Sequence, residues 1–123
     1  MLAVSSKSAA SSAASAEFGD GITIGIFSDS FASISGGYEA DISSEDLPAG
    51  IEIISDYPDS TDEGRAMAQL VHDLAPGSEL KFHTAFGGKA GFADGIIALK
   101  DAGANVIVDD VGYLNEYFFQ DDV

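Results

Sequence analysis

Three acidic features of this 123-residue sequence stand where an enzyme or binding protein could use them. Asp29 directly follows the aliphatic run at residues 22–27, in Ile24-Gly25-Ile26-Phe27-Ser28-Asp29. Asp109 and Asp110 follow a second such run at residues 105–108, and Val111-Gly112 comes next. Glu63 opens the stretch Glu63-Gly64-Arg65-Ala66-Met67-Ala68. A carboxylate can act as a general base if burial or a neighbouring carboxylate lifts its pKa toward the working pH. Such a base can activate a serine hydroxyl. Asp29 close to Glu63 would form such a pair, sharing one proton and favouring acidic conditions. Each residue also has an architectural reading. Asp62 can cap the helix, with Glu63 an ordinary first-turn acid favoured by the helix dipole. Asp29 can cap a turn, and Asp109 and Asp110 a loop. Glu63 precedes Met67 by four residues, which predicts that it lies on the buried face of its helix.

Other residues that could do chemistry are less promising. His72 shares the Arg65, Gln69 and Asp73 side of its helix and is expected to be exposed. His83 lies mid-strand in Lys81-Phe82-His83-Thr84 and is expected to be packed. Gly19-Asp20-Gly21 and Gly87-Gly88 read as turns, since neither completes a phosphate-binding loop. With no cysteine, a disulfide scaffold, a thiolate metal site and a cysteine nucleophile are all excluded.

The elements that must position these residues alternate in type. β-branched runs at residues 22–27, 51–54, 80–86 and 105–108 read as strands, the first of them buried on both faces. Between the second and third, residues 62–75 place Met67, Leu70, Val71 and Leu74 at the i, i+3, i+4, i+7 spacing of a helix face, and Pro76-Gly77 ends it. Residues 90–102 form a second helix, ended by Gly103. The glycine- and acid-rich stretch between the first two strands reads as a connection. The fold class expected is α/β: a parallel sheet of about four strands with helices on both faces. In such sheets ligands bind beyond the carboxyl ends of the strands, where all three acidic features fall. Residues 1–17 form a low-complexity Ser/Ala arm, and the α/β domain occupies 18–123.

Composition bounds the partners. The net charge of −16, from 21 acidic and 5 basic residues, makes nucleic acid and anionic membrane surfaces poor partners. No apolar run approaches the ~20 residues needed to span a bilayer, and the arm lacks the continuous apolar stretch of a signal peptide. Most of the acids read as a solvated surface.

In this order the motifs are similar to the amino-terminal half of the subtilisin-like serine peptidases, the subtilases, and their sedolisin relatives. The resemblance covers residues 19–121. Its most specific element is Ala75-Pro76-Gly77-Ser78-Glu79-Leu80, which matches the family's join between its histidine helix and the next strand. The resemblance implies the first half of the subtilisin fold and peptide-bond hydrolysis. It places Asp29 at the triad aspartate and Glu63 at the catalytic histidine, where sedolisins carry a glutamate. Sedolisins also carry an aspartate four residues later, and here that position is Met67. Asp110-Val111-Gly112 lines up with the edge that binds the substrate backbone as an added strand.

The family's nucleophile lies in a Gly-Thr-Ser motif, and none occurs in this sequence. The expectation is therefore a fragment of a serine endopeptidase that is inactive alone, with a peptide or protein substrate in the full-length form. The alternative is a non-catalytic α/β module that uses an acidic cleft for a cation or partner. Calcium is the cofactor the resemblance allows, although no EF-hand-like loop is present. Secretion is common in the family but nothing in this sequence fixes the compartment. Half of a parallel sheet would leave an unpaired edge open to self-association.

Overall fold

The computed structural model describes residues 17–112, and these form an α/β fold. Four strands, β1 (Thr23–Ser28), β2 (Glu52–Ser55), β3 (Glu79–Thr84) and β4 (Val106–Asp109), alternate with three helices. The helices are α1 (Gly37–Ser43), α2 (Glu63–Leu74) and α3 (Gly88–Asp101). All strand pairs are parallel, in the order β2-β3-β1-β4.

Strand alternation divides the core in two. Ile26 of β1 and Leu80 and Phe82 of β3 face α2, packing with Phe31, Leu47, Ile51 and Ala68. Phe27 of β1 turns the other way, packing with Leu99 of α3 and with Ala85, Phe92 and Ile107. Helices therefore cover both faces, as the alternation of elements predicted. The segments leaving the adjacent strands β1 and β3 lead to helices on opposite faces.

Two glycines set how closely the helices approach. A Cβ on Gly64 would collide with the Phe82 ring and lie 2.8 Å from the Ser30 carbonyl oxygen. A Cβ on Gly95 would lie 2.6 Å from the Phe27 ring. The first turn of α2 thus rests directly on the end of the sheet.

The structure departs from the sequence reading in several places. The glycine- and acid-rich stretch after β1, expected only as a connection, contains the helix α1. Helix α3 starts at Gly88, two residues before the expected boundary. The face that α2 buries is rotated from the one its large side chains suggest. Gly64 and Ala68 are buried and Met67 and Val71 half-buried, whereas Leu70 and Leu74 are 65 % and 80 % exposed. Close packing on Phe82 and Ser30 needs the small residues inward, so the leucines of the same helix turn out.

Candidate functional site

The carboxyl ends of β1 and β3 and the start of α2, with the loop before it, meet around Asp29. Its carboxylate accepts hydrogen bonds from five donors. Ser60 Oγ at 2.7 Å, Thr61 Oγ1 at 2.6 Å and Thr61 N–H at 3.1 Å all reach Oδ2. Gly64 N–H, at 3.1 Å, and Ser30 N–H reach Oδ1. Burial pushes this carboxyl upward, but the bonds from Thr61, Ser60, Ser30 and Gly64 outweigh it and hold the group well below the usual carboxylate range. Thr84 Oγ1 donates to the Asp29 carbonyl at 2.6 Å, which pins the end of β1 to the end of β3.

A second carboxylate makes the reciprocal link. Asp62 occupies the N-cap position of α2 in the left-handed region, at φ 56°, and its side chain makes no capping bond. It points instead into the loop after β1. There Oδ1 accepts Ser30 Oγ at 2.8 Å and Ser33 N–H at 2.8 Å, and Oδ2 accepts Ile34 N–H at 2.8 Å. Asp62 N–H in turn donates to Ser30 Oγ at 2.8 Å. The two acids thus exchange roles: Asp29 satisfies the start of α2, and Asp62 satisfies the loop after β1. Burial raises the Asp62 carboxyl, and the donors Ile34, Ser30 and Ser33 with the Arg65 guanidinium lower it by more. Arg65 bridges Asp62 at 3.3 Å and Asp41 of α1 at 2.6 Å, and its Nε donates to the Phe31 carbonyl at 3.0 Å. Asp56, after β2, holds the same loop by accepting Phe31 N–H at 2.8 Å and Ala32 N–H at 2.9 Å.

Glu63 is exposed, not on the buried face. The rotation that brings Gly64 onto Phe82 carries its neighbour outward. Its carboxylate has no hydrogen bond or ion pair among the described residues, so the expected proton-sharing pair with Asp29 does not form. The bonds that Asp29 accepts come from hydroxyl and N–H donors, which favour its charged form.

Asp110 is exposed and tied to β1 by Ser28 Oγ, which donates to its Oδ2 at 3.0 Å from a fully buried position. Asp109 ends β4 and accepts Val111 N–H at 3.4 Å. The structure therefore brings Asp29, Glu63 and Asp110 to one end of the sheet. It joins the first two through the α2 backbone, and Asp29 to Asp110 only through the neighbouring Ser28.

Sequence reasoning missed Ser28, Ser30, Asp56, Ser60 and Thr61. For Asp56, Ser60 and Thr61 the available signal was the density of acids and hydroxyls in residues 55–62. An open cleft of about 300 Å³ lies beside this network, lined by Ala32, Ser33 and residues 56–59. Tyr57 and Phe86 meet edge to face nearby at 4.6 Å.

The histidines lie apart from the site. His83 is half-buried, with Nδ1 2.7 Å from the Thr84 carbonyl and its ring against Phe27. His72 is half-buried, contrary to expectation, and its Nδ1 is buried without a partner. Among the described residues no group of three or more acidic, histidine or cysteine side chains is placed to hold a metal ion. No described helix is long and apolar enough to cross a membrane. No family model, curated protein or solved structure matches this chain.

Proposed function

We propose that this chain carries the acidic part of a peptide-hydrolysing site of the subtilisin and sedolisin kind, with Glu63 as the base and Asp29 as the residue that positions it. One observation carries the reading. The Gly64 N–H bond to Asp29 fastens the first turn of α2 to the end of β1, and the adjacent Glu63 carboxylate is left exposed and unpaired. A carboxylate without a competing partner is free to accept a proton from a hydroxyl. Asp29, ionised and bonded on both oxygens, fixes where Glu63 stands and takes no part in the proton transfer.

The peptide side of the site follows from the sheet. β4 is an edge strand among the described residues, pairing only with β1, and Asp110-Val111-Gly112 continues from it. An extended peptide can add to such an edge through main-chain hydrogen bonds. Ser28 holds Asp110 at the end of that edge. The serine nucleophile would come from outside these 123 residues, since no Gly-Thr-Ser occurs in them.

Two measurements test this reading. A serine-directed fluorophosphonate should leave the chain unlabelled, and stoichiometric labelling would refute the assignment of the nucleophile elsewhere. A millimolar extended peptide should slow hydrogen exchange at the amides of Val111 and Gly112. Unchanged exchange at both would remove the substrate edge from the proposal.

A further inference from the structure

The open cleft of about 300 Å³ lies between the loops that follow β1 and β2. Its two walls are bound to each other. Asp56 accepts Phe31 N–H and Ala32 N–H, and Ser33 Oγ donates to the Tyr57 carbonyl at 2.6 Å. The fold therefore shapes the cleft before any ligand arrives. Its volume stands at the lower end of ligand pockets, which suits one side chain and not a whole nucleotide. The lining has also spent its donors. Ala32 N–H and Tyr57 N–H go to Asp56, and Ser33 N–H goes to Asp62. Pro58 has no N–H, and the Ser33 hydroxyl proton is committed to Tyr57. An anion would find almost nothing to bind. Acceptors remain, since Asp56 Oδ2 takes one hydrogen bond and a carboxylate oxygen has room for two. Asp59 is exposed and has no hydrogen bond or ion pair among the described residues. Tyr57 adds an aromatic surface that is 46 % exposed, its ring held edge to face by Phe86.

We propose that this cleft binds the guanidinium of an arginine side chain, with Asp56 and Asp59 accepting its N–H groups and the Tyr57 ring stacked on its plane. A pocket that offers acceptors, an aromatic surface and few donors selects a flat cation rich in donors. Arginine brings five N–H donors in a planar fork and stacks on aromatic rings, whereas the lysine ammonium is a compact and strongly hydrated charge. The lining ends at Asp59, and the next residues, Ser60 and Thr61, hold Asp29, so the cleft adjoins the candidate site. That the arginine belongs to a peptide substrate rests on the peptidase reading; the cation site itself does not.

The test adds Nα-acetyl-arginine N-methylamide to the full chain and follows the amide NMR signals of Ala32, Ser33, Tyr57 and Asp59. These should shift with a millimolar Kd. The citrulline counterpart has the same shape without the charge and should bind at least about tenfold more weakly. Asp59→Asn should weaken arginine binding at least about fivefold. Asparagine tolerates the left-handed backbone of Asp59, at φ 61°, so this variant keeps the fold. Asp73→Asn, which removes an exposed acid at the far end of α2, should change binding by less than about twofold. Equal weakening by both variants, or equal binding of arginine and citrulline, would assign the effect to the net charge of −16 and refute the site. An extended peptide carrying the arginine separates this inference from the peptidase reading. Shifted cleft amides with unchanged hydrogen exchange at Val111 and Gly112 would uphold the cation site and count against the substrate edge. Slowed exchange at Val111 and Gly112 with unshifted cleft amides would overturn the cation site and leave the edge standing.

Discussion

Replacing Asp29 by asparagine tests whether this residue is first an architectural group. Asparagine has the same shape and keeps one acceptor oxygen, but it loses the charge and exchanges the other oxygen for an NH₂ donor. In the native protein Oδ2 accepts three hydrogen bonds, two from hydroxyls and one from Thr61 N–H. Either hydroxyl can rotate to accept from the new NH₂, whereas Thr61 N–H cannot change role and loses its acceptor. The bonds from Ser30 and Gly64 to Oδ1 survive without charge assistance, which roughly halves their strength. One abandoned N–H at about 1–2 kcal/mol, plus the weakened bonds, gives a loss of about 3 kcal/mol. For a domain of this size that lowers Tm by about 10–20 °C. Thermal melting at pH 7 measures the loss, and hydrogen exchange locates it at Thr61 and Gly64.

The pH dependence of that loss supplies a further check. The folded pKa of Asp29 is depressed, so its stabilisation is complete above the unfolded value near 3.8 and is lost as pH falls toward the lower folded value. The gap between native protein and Asp29→Asn should therefore stay constant from neutral pH to about 5 and narrow below about 4. A Tm change under 3 °C at pH 7, or a gap that widens in acid, would refute the reasoning.

Three further substitutions separate architecture from chemistry. Gly64→Ala should cost about 2–3 kcal/mol in chemical denaturation, because its Cβ has no room against Phe82 and Ser30. A near-neutral result would show that α2 can shift off the sheet. Arg65→Met should cost about 3 kcal/mol by stranding the buried Asp62 and half-buried Asp41 carboxylates. Restoring most of that stability by adding Asp41→Asn would tie the loss to Asp41 and contradict the central place given to Asp62. Glu63→Gln should alter stability by less than about 0.5 kcal/mol, since the side chain is exposed and unpaired. A large loss in a denaturation curve would mean that Glu63 is structural and not a base.

The sequence by itself determined the class of fold, the number of strands and which ends of them carry acids. Those follow from local pattern, because hydrophobic period and strand-helix alternation are set by near neighbours. It also placed Asp29, Glu63 and Asp110 at one end of the sheet. Only the tertiary structure decided what each carboxylate does. Asp29 and Asp62 are far apart in the chain, and their exchange of capping roles depends on donors from two loops that meet only when β1 and α2 dock. The rotation of α2 was hidden for the same reason. Leucines at 70 and 74 look like a core stripe when hydrophobicity is counted along one helix. The available space, set by Phe82 and Ser30 across the interface, admits only Gly64 and Ala68 at the closest approach. That packing turned Glu63 outward, ended the expected proton-sharing pair, and left two leucines facing out.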